Sequence, residues 1–350
     1  MAEMTRRKVK WGVIGSGGIA RRRTIPEGIV PAVNSELTAV FDVSPSVNEE
    51  VARTYDARPA KSINGLLESD IDAVYIATPA NLHFDQAIAA TRAGKHVLCE
   101  KPLGMTVSEA KKMMRAADSA NVILGTGFMM RFQSQHRAAL DMITQGRLGT
   151  PVYGRAQLSC WYPPSNAWRQ DPAISGGGAL IDMGGHCIDL LSMYFGAVAK
   201  VSCIVNNSVH DYRSEDSAVA LLFYRSGAMG VVDTFFCIPD DASRNVLEIY
   251  GSRGSILAQG TIGQNEKGKM YAFLQEADTT YDAQQARAGA TASSIAPTPV
   301  NTYRAEIGEF SSAILEGRRP SNSAQLGLDS QRVLSACYRS ARSGRTVRIH

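Results

Sequence analysis

The sequence predicts an α/β fold in two parts, a doubly wound parallel sheet followed by an α+β region with a large, mostly antiparallel sheet. Three observations predict it. The chain has 350 residues, more than one hydrophobic core usually supports. Up to about Phe128, short apolar runs alternate with helical patterns, as in repeated βαβ units. From Thr150 onward, long β-type runs dominate. We therefore expect one domain over residues 1–128 and a second over residues 129–350.

The first part begins with a strand and continues by alternation. Five strands are expected from their apolar runs: VKWGVIG, ELTAVFDV, AVYIAT, HVLCEK and VILGTG. The segments between them include residues 82–93 and 107–120, whose apolar residues recur at helical spacing. Strands that alternate with helices in this way form a parallel sheet.

The second part has a different pattern. Its expected strands are PVYGRAQLSCWY, KVSCIVNNSV, SAVALLFY, AMGVVDTFF and NVLEIYG. Arg225, Ser226 and Gly227 join two of them and give a hairpin signal. One helical insertion, residues 181–195, follows a run of glycines, and the polar, small-residue stretch 279–300 is interpreted as a long surface loop.

Composition excludes several classes of protein. The chain is 44% hydrophobic and 20% charged, which supports sizeable cores and excludes a disordered chain. A net charge of +4 is too dilute for a nucleic-acid footprint. The six cysteines and six histidines show no metal-ligand spacing, so no metal and no disulfide scaffold are expected. No apolar stretch reaches membrane length and no signal peptide is recognisable, so the expected location is cytoplasmic.

A glycine turn closes the first strand and opens a helix. Its sequence fits G-x-G-x-x-A, which permits a tight turn and a close approach of the main chain to a pyrophosphate at the helix N-terminus. The second strand ends in Asp42, 22 residues after Ala20, where a carboxylate can accept hydrogen bonds from ribose hydroxyls. An accidental glycine turn is the alternative. The turn residues expected to bind the cofactor are Gly15, Ser16, Gly17, Gly18 and Ile19.

Glu100, Lys101 and Pro102 end the fourth strand, at the carboxyl edge where doubly wound sheets bind ligands. Pro102 keeps the lysine out of a helical conformation. An ammonium group there could donate to an alcohol oxygen and stabilise the charge that develops as its proton leaves. We count Glu100 and Lys101 among the expected cofactor-binding residues. The alternative is a solvated lysine at a strand end.

A third group of residues lies in the second part of the chain. Three glycines, residues 176–178, precede a stretch in which Asp182 and His186 are four residues apart. On a helix both would project from one face, and a carboxylate beside an imidazole makes a general base suited to neutral pH. The alternatives are a capping aspartate and a satisfied core histidine. The glycines predict either a flexible entry to the helix or a second phosphate cradle.

Three weaker signals remain. A turn after the third strand could border a nicotinamide ribose, or be a plain turn with an Asn cap; its residues are Thr78, Pro79, Asn81 and His83. Trp161, Tyr162, Trp168 and Arg169 combine aromatic rings with a cation, as a sugar site would, but could equally be core or interface residues. Residues 21–23 are three arginines, either the solvated start of a helix or a phosphate contact.

Taken together, these motifs identify a resemblance to the Gfo/Idh/MocA oxidoreductases, the relatives of glucose-fructose oxidoreductase and inositol dehydrogenase. The resemblance covers about Val9 to Ile349 and rests on GSGGIA, ATPANLH, CEKP, GGGALIDMGGHCIDLL and the closing segment from TYRAEIGEF to RTVRI. It implies a Rossmann domain, a larger α+β domain, and an open sheet that mediates homodimers or homotetramers. It also implies that the Lys101–Pro102 peptide is cis.

The resemblance also implies roles for individual residues. Lys101, Asp182 and His186 match the catalytic group of such relatives, and Trp168 with Arg169 resembles the substrate-contacting pair of a reductase branch of the family. That branch uses NADPH and lacks an acid at the position of Asp42, so NAD is the expected cofactor and NADP the less favoured one. Glucose-fructose oxidoreductase has Tyr in place of the histidine, which argues against that specific assignment.

The sequence therefore predicts an NAD-dependent enzyme that moves a hydride between nicotinamide and a secondary hydroxyl of a cyclic sugar or polyol. Two alternatives stay open within the same fold. One is a glycosidase that uses NAD for oxidation, elimination and re-reduction without net redox change. The other is a non-catalytic sensor that binds the dinucleotide to regulate a partner protein.

Overall fold

A computed structural model of the chain describes residues 7–165, 167–275 and 291–349. The described residues form two compact units. The first holds the residues through Met129 together with Ala167–Gly176 and Asn301–Arg332, and the second holds the rest. Segments from late in the chain thus belong with the first sheet. The division into domains 1–128 and 129–350 stays a prediction about folding units.

The first unit contains a parallel six-stranded sheet in the order β3-β2-β1-β4-β5-β6. Its strands are β1 Val9–Ile14, β2 Ser35–Phe41, β3 Arg58–Pro59, β4 Ala73–Ile76, β5 His96–Glu100 and β6 Leu124–Gly127. Every neighbouring pair is parallel. The predicted doubly wound sheet is therefore confirmed. The two-residue β3 was not predicted, because a strand that short carries no periodicity.

Helices connect these strands and flank the sheet. Their bounds are Ala20–Ile29, Pro45–Thr54, Ile63–Leu67, His83–Arg92, Val107–Ser119 and, from late in the chain, Thr302–Glu316. The first is wound more widely than an α-helix, since the amide of Val30 donates to the carbonyl of Ile25 at 3.1 Å. Pro26 lies inside it, where proline supplies no amide hydrogen to the regular ladder.

Apolar residues pack on both faces of this sheet. One cluster contains Ile14, Val74, Ile76 and Val97 with residues of the flanking helices. The other is built around Trp11, whose ring centroid lies 5.7 Å from that of Phe310. Burial on both faces explains why the strands are continuous apolar runs rather than alternating ones.

The second unit contains a nine-stranded sheet in the order β14-β13-β12-β11-β7-β10-β9-β8-β15. Its strands are β7 Pro151–Ser159, β8 Val198–Asn206, β9 Ser217–Tyr224, β10 Met229–Phe235, β11 Val246–Gly251, β12 Gly254–Gln259, β13 Lys269–Leu274, β14 Thr291–Ser294 and β15 Val347–Arg348. Among the described strands of this sheet, only β7 and β10 pair in parallel. The predicted, mostly antiparallel sheet is therefore confirmed.

Along the chain, the helices of the second unit come before β7, between β7 and β8, and near the C-terminus. They are Ser134–Thr144, Leu180–Gly184, Gly185–Phe195 and the C-terminal portion of Ala324–Ser343. The predicted hairpin between β9 and β10 is present, with Gly227 at a φ of 93°. Among the described residues, no helix combines the length and the apolar character needed to cross a bilayer.

One expectation for this unit needs correction. The stretch 279–300 was expected to be a surface loop throughout, but its residues 291–294 form β14 and pair with β13. Long-range pairing gives a short polar segment a strand partner that local composition cannot reveal. Residues 279–290 lie outside the described part of the chain.

Candidate functional site

The glycine turn joins β1 to the helix Ala20–Ile29. Gly15 has a φ of 81°, and a Cβ atom on it would lie 2.9 Å from Cγ2 of Thr78 and 3.0 Å from the main chain of Ala77. The amides of Gly15 and Ser16 both donate to the carbonyl of Phe41. The turn is thus packed against the ends of β2 and β4, and only glycine satisfies both the dihedral angle and the space at position 15.

Asp42, directly after β2, holds this turn in place. One carboxylate oxygen accepts from the amide of Gly17 and the other from the amide of Ser44, each at 2.9 Å. A carboxylate offers about four acceptor positions, so both oxygens can still accept from hydroxyls of a ligand. The residue predicted to select the cofactor is therefore also part of the turn.

The geometry of the turn fits a dinucleotide. Gly18 is exposed with a φ of 47°, and a Cβ atom there would meet nothing within 4 Å. Open space lies over the turn where the main chain can approach a ligand closely. The helix that follows begins with amides that have no acceptor inside the helix, and such amides bind pyrophosphate. Ile19 is half-buried at the start of that helix.

Two of the three neighbouring arginines form ion pairs with carboxylates, and the third, Arg22, is exposed. Arg21 forms an ion pair with Glu50, and Arg23 pairs with Glu27 at 2.8 Å. The first cationic residue after Asp42 in the sequence is Arg53. This distribution of charge gives an additional 2′-phosphate few partners beside Asp42.

Glu100 and Lys101 lie at the carboxyl end of β5. The Lys101–Pro102 peptide is cis, as the resemblance implies. Glu100 accepts from the hydroxyl of Tyr75 and, at 3.3 Å, from the amide of Lys101. Burial raises the pKa of Glu100, whereas the charges of Lys101 and Arg169 lower it. This carboxyl group therefore accepts from a buried hydroxyl and a main-chain amide, and the charges of two cations favour its ionised form.

Trp168 and Arg169 belong to the first unit, although they follow β7 in the chain. The guanidinium carbon of Arg169 lies 4.3 Å from the centre of the Trp168 ring, a cation–π arrangement. Because the charge of Arg169 acts on the pKa of Glu100, the structure brings the predicted substrate pair near the Glu100–Lys101 motif. Trp161, by contrast, contacts His210 in the second unit, with ring centroids 4.9 Å apart.

The turn after β4 is arranged around His83. This histidine is buried, with Nδ1 2.8 Å from the carbonyl of Pro102 and Nε2 3.0 Å from the carbonyl of Thr78. Its ring connects the turn to the Glu100–Lys101 motif, and burial lowers its pKa. Pro79 is half-buried. Asn81 is exposed and lies inside the short 3₁₀ helix Ala80–Leu82, so it is not the N-cap of that helix or of His83–Arg92.

Asp182 and His186 lie in the second unit on consecutive helical segments, Leu180–Gly184 and Gly185–Phe195. From residue 179 to residue 191 every residue is buried except these two, which are half-buried. Residues four apart lie on one face of a helix. Between residues 179 and 191, one acid and one imidazole therefore stay accessible in an otherwise buried stretch; their shared role stays a prediction.

The glycine triplet before this helix serves close packing. A Cβ atom on Gly178 would lie 1.9 Å from the carbonyl oxygen of Glu215, and one on Gly177 would lie 1.9 Å from the hydroxyl of Tyr338. The carboxylate of Glu215 accepts from the amide of Leu180 at 3.1 Å and from Tyr338 at 2.8 Å. The amide of Ala179 also donates to the main-chain carbonyl of Glu215, at 3.0 Å. A buried glutamate thus engages two amides at the start of the helix, which corrects both sequence interpretations of the triplet, the phosphate cradle and the flexible entry.

The sequence analysis did not single out two residues of these arrangements, Tyr75 and Glu215. Tyr75 lies in an apolar strand, where its hydroxyl was the only available signal of a polar contact. Glu215 is 35 positions from Leu180, and no local pattern connects them. Both act through contacts between residues distant in the sequence, which a single sequence does not reveal.

The chain resembles known proteins over nearly its whole length. Residues 9–128 match a family described as "Oxidoreductase family, NAD-binding Rossmann fold", and residues 136–257 match one described as "GFO/IDH/MocA C-terminal domain". The 1,5-anhydro-D-fructose reductase of Ensifer adhaerens is 29% identical over 97% of this chain and 98% of the relative. A dTDP-3,4-didehydro-2,6-dideoxy-α-D-glucose 3-reductase of Actinomadura kijaniata is 31% identical over 71% of this chain and 74% of the relative.

Among solved structures, an aldose-aldose oxidoreductase of Caulobacter crescentus, in complex with glycerol, superposes with a TM-score of 0.87. It is 26% identical, and the match covers 98% of this chain and all of the other. Levoglucosan dehydrogenase in complex with NADH and levoglucosan superposes with a TM-score of 0.85 at 23% identity, covering 98% of this chain and all of the other. The latter likeness concerns the fold.

Proposed function

This chain belongs to the Gfo/Idh/MocA oxidoreductase family, and we propose that it is an NAD-dependent dehydrogenase acting on a secondary hydroxyl of a cyclic sugar or polyol. The observation that carries the proposal is the pair Asp182 and His186, the only half-buried residues between residues 179 and 191. A largely buried stretch of helix in which an acid and an imidazole stay accessible, in a family of oxidoreductases, supports acid–base chemistry there.

The proposed roles follow from the chemistry of each side chain. His186 takes the hydroxyl proton at its imidazole, and Asp182 orients the ring or accepts from substrate hydroxyls. Lys101 donates to the substrate oxygen and stabilises negative charge on it as the proton leaves. When bound, the nicotinamide supplies the hydride acceptor or donor. The protein supplies the positions of the proton-transfer groups.

The proposed dinucleotide site is the carboxyl edge of the first sheet. The amides at the start of the helix Ala20–Ile29 would bind the pyrophosphate, and Asp42 would accept from the adenosine ribose. The carboxylate of Asp42, together with the ion pairs that engage Arg21 and Arg23, favours NAD over NADP. The remaining proposed cofactor residues are Gly15, Ser16, Gly17, Gly18, Ile19, Thr78, Pro79, Asn81, His83, Glu100 and Lys101.

A cyclic sugar or polyol is the proposed substrate. Trp168 offers an aromatic face and Arg169 offers hydrogen-bond donors, the two kinds of group that recognise a pyranose ring and its hydroxyls. The names of the relatives support this class, because they include an anhydrofructose reductase and an aldose-aldose oxidoreductase.

The second sheet supports a further proposal, that the chain forms a homodimer or homotetramer through its open face. Phe223, Met229, Tyr153 and Tyr250 follow one another across paired strands β9, β10, β7 and β11. Leu221 is exposed in the next row of the same face. An apolar row of this kind is typical of a surface that another protein covers, and a second copy of the same face is self-complementary in a two-fold dimer.

The test is a screen of NAD reduction with inositols, aldoses, anhydrosugars and glycosides, followed by variants. We expect turnover of at least one cyclic polyol.

His186→Ala should lower kcat by about 10²- to 10⁴-fold while NADH binding, measured by fluorescence, stays nearly unchanged. Lys101→Met should also lower kcat, because methionine is similar in length but carries no charge. Lys111→Met, an exposed lysine in the helix Val107–Ser119, is the matched control.

Three results would contradict the proposal. Wild-type turnover in His186→Ala rejects the role of the imidazole. Release of an aglycone without accumulation of NADH identifies the glycosidase alternative. Tight NAD binding without turnover of any compound in the screen identifies the sensor.

A further inference from the structure

Tyr75 is a polar residue in the centre of the first sheet. All four residues of β4 are buried, and the Tyr75 side chain is among the largest fully buried ones of the described chain. A buried tyrosine hydroxyl needs hydrogen-bond partners. Tyr75 has two: it accepts from Oγ1 of Thr24 at 2.9 Å and donates to Oε1 of Glu100. The hydroxyl thus connects the helix after the glycine turn to the end of β5.

The carboxylate of Glu100 is fixed by several neighbours. Oε2 accepts from the amide of Lys101 at 3.3 Å. On the adjacent strand β6, a Cβ atom on Gly127 would lie 3.2 Å from the Glu100 carboxyl group, so glycine leaves the room that this carboxyl group occupies. Its position is therefore determined by β4, β5 and β6 together, while the side chain keeps part of its surface exposed.

The hydroxyl of Tyr75 stabilises the ionised form of the Glu100 carboxyl group. Burial raises the pKa of Glu100, and the opposing contributions come from Lys101, the Tyr75 hydroxyl and Arg169. Burial and the charge of Glu100 raise the pKa of Tyr75 well above its usual value, so this hydroxyl stays a neutral donor. The other titratable or charged groups that interact with Glu100 or with its tyrosine neighbours are Cys99, Tyr303, Glu306 and Arg23.

We propose that Tyr75 is a positioning residue of the dinucleotide site, which acts through Glu100 by holding its carboxylate at the end of β5. The inference rests on the proposed function only in that Glu100 is taken to accept from hydroxyls of the bound dinucleotide. Thr24 supports Tyr75 by directing the hydroxyl hydrogen toward Glu100. Through Thr24 and Tyr75, two hydrogen bonds connect the helix Ala20–Ile29 to Glu100.

The experiment measures NADH affinity by fluorescence from pH 5 to pH 9, without sugar, for the full chain and for Tyr75→Phe. This change removes one oxygen and keeps the ring. A hydrogen bond to a charged group contributes about 1.5–3 kcal/mol, so its loss should raise the pKa of Glu100 and move the acid limb of NADH binding upward by about one pH unit. At the pH midpoint of the wild-type limb, affinity should fall about 3- to 10-fold.

Three further variants make the test specific. Tyr194→Phe removes a buried hydroxyl in the second unit, one that donates to the carbonyl of His136 at 3.3 Å, and should leave the limb in place. Thr24→Val preserves size and should give a smaller shift of the same sign, which keeps the proposal testable if Tyr75→Phe does not fold. In Glu100→Gln, NADH affinity should no longer fall at acid pH. Adding Tyr75→Phe to that variant should leave its pH dependence unchanged.

The outcomes separate this inference from the proposed function. If Tyr75→Phe and Thr24→Val both give the wild-type limb, the positioning role is wrong while the dehydrogenase proposal stands. If NADH binds with the expected shift but no sugar is oxidised, the positioning role stands and the dehydrogenase proposal fails. Absence of NADH binding in the wild type overturns both.

Discussion

At the scale of single residues, Asp42 has two tasks, to hold the glycine turn and, in our proposal, to select NAD. Asp42→Ala should weaken NAD binding and narrow or reverse the preference for NAD over NADP, because it removes an acceptor and a repulsion together. A charged hydrogen bond of about 1.5–3 kcal/mol corresponds to about 10- to 100-fold in the ratio. The measurement is kcat/KM for both cofactors with the same sugar at the same pH.

Asp42→Asn distinguishes the two tasks. An amide oxygen can still accept from the amide of Gly17, whereas the NH2 group cannot accept from the amide of Ser44. The turn therefore keeps one of its two bonds to this side chain while the negative charge is lost. We expect Asn to reduce discrimination with a smaller loss of NAD affinity than Ala. An unchanged ratio in both variants, or a wild-type preference for NADP, would show that this carboxylate does not select the cofactor.

His136 provides a residue-scale prediction about stability. It is fully buried, Nδ1 lies 2.9 Å from the carbonyl of Met130, and Nε2 has no partner among the described residues. Burial lowers its pKa from 6.5 to about 4. Below about pH 6.5 the unfolded chain binds a proton at this histidine, whereas the folded chain binds it only near pH 4. The contribution of the neutral, buried imidazole to stability is therefore complete above pH 6.5 and declines as the pH falls.

The expected loss between pH 7 and pH 5 is about 2 kcal/mol. Urea unfolding of the wild type and of His136→Gln at both pH values isolates it, because glutamine can donate to Met130 but does not titrate. Asp189, whose pKa burial raises to about 6, contributes with the opposite sign and is common to both proteins. Equal pH dependence in wild type and variant would contradict the prediction.

At the scale of elements, the helix that carries Asp182 and His186 depends on how closely its start approaches Glu215. Gly178→Ala should destabilise the protein by about 2–3 kcal/mol, because the new Cβ atom would meet a main-chain carbonyl rather than a flexible side chain. Gly185→Ala is the matched control. A Cβ atom there has its nearest neighbour at 3.7 Å, and alanine favours a helix by about 1 kcal/mol over glycine.

Urea midpoints of the two alanine variants measure this difference. Gly178→Ala should unfold at lower urea than the wild type, and Gly185→Ala at equal or higher urea. Equal midpoints for the two variants would mean that the approach of Gly178 to Glu215 does not constrain the start of the helix.

At the scale of the whole molecule, the open face of the second sheet is the feature that a single chain leaves unexplained. If that face joins two copies, Leu221→Asp combined with Met229→Asp should produce monomers, since two buried like charges oppose association. Light scattering during size-exclusion chromatography measures the mass. Val33→Asp, at an exposed apolar residue of the first unit, should leave the assembly unchanged. A monomeric wild type would contradict the proposed oligomer.

Much of the fold was determined by the sequence itself. The alternation of short apolar runs with helical patterns predicted the parallel sheet, and the long β-type runs predicted the second one, because side-chain periodicity is a local property of helices and strands. The glycine turn and Asp42 could also be predicted, since both lie at ends of consecutive strands. The spacing of Asp182 and His186 predicted a helix there, and the structure places them on consecutive helical segments.

The rest was decided by contacts between residues far apart in the chain. The short strands β3, β14 and β15 exist because partners lie beside them, and no periodicity marks them. Trp168 and Arg169 join the first unit. Tyr75 donates to the carboxylate of Glu100, and Glu215 accepts from the amide of Leu180; each pair joins residues of different elements. Burial and hydrogen bonding of such groups depend on three-dimensional proximity. The sequence therefore proposes candidate residues for chemistry, whereas only the tertiary structure identifies the residues that hold those candidates in place.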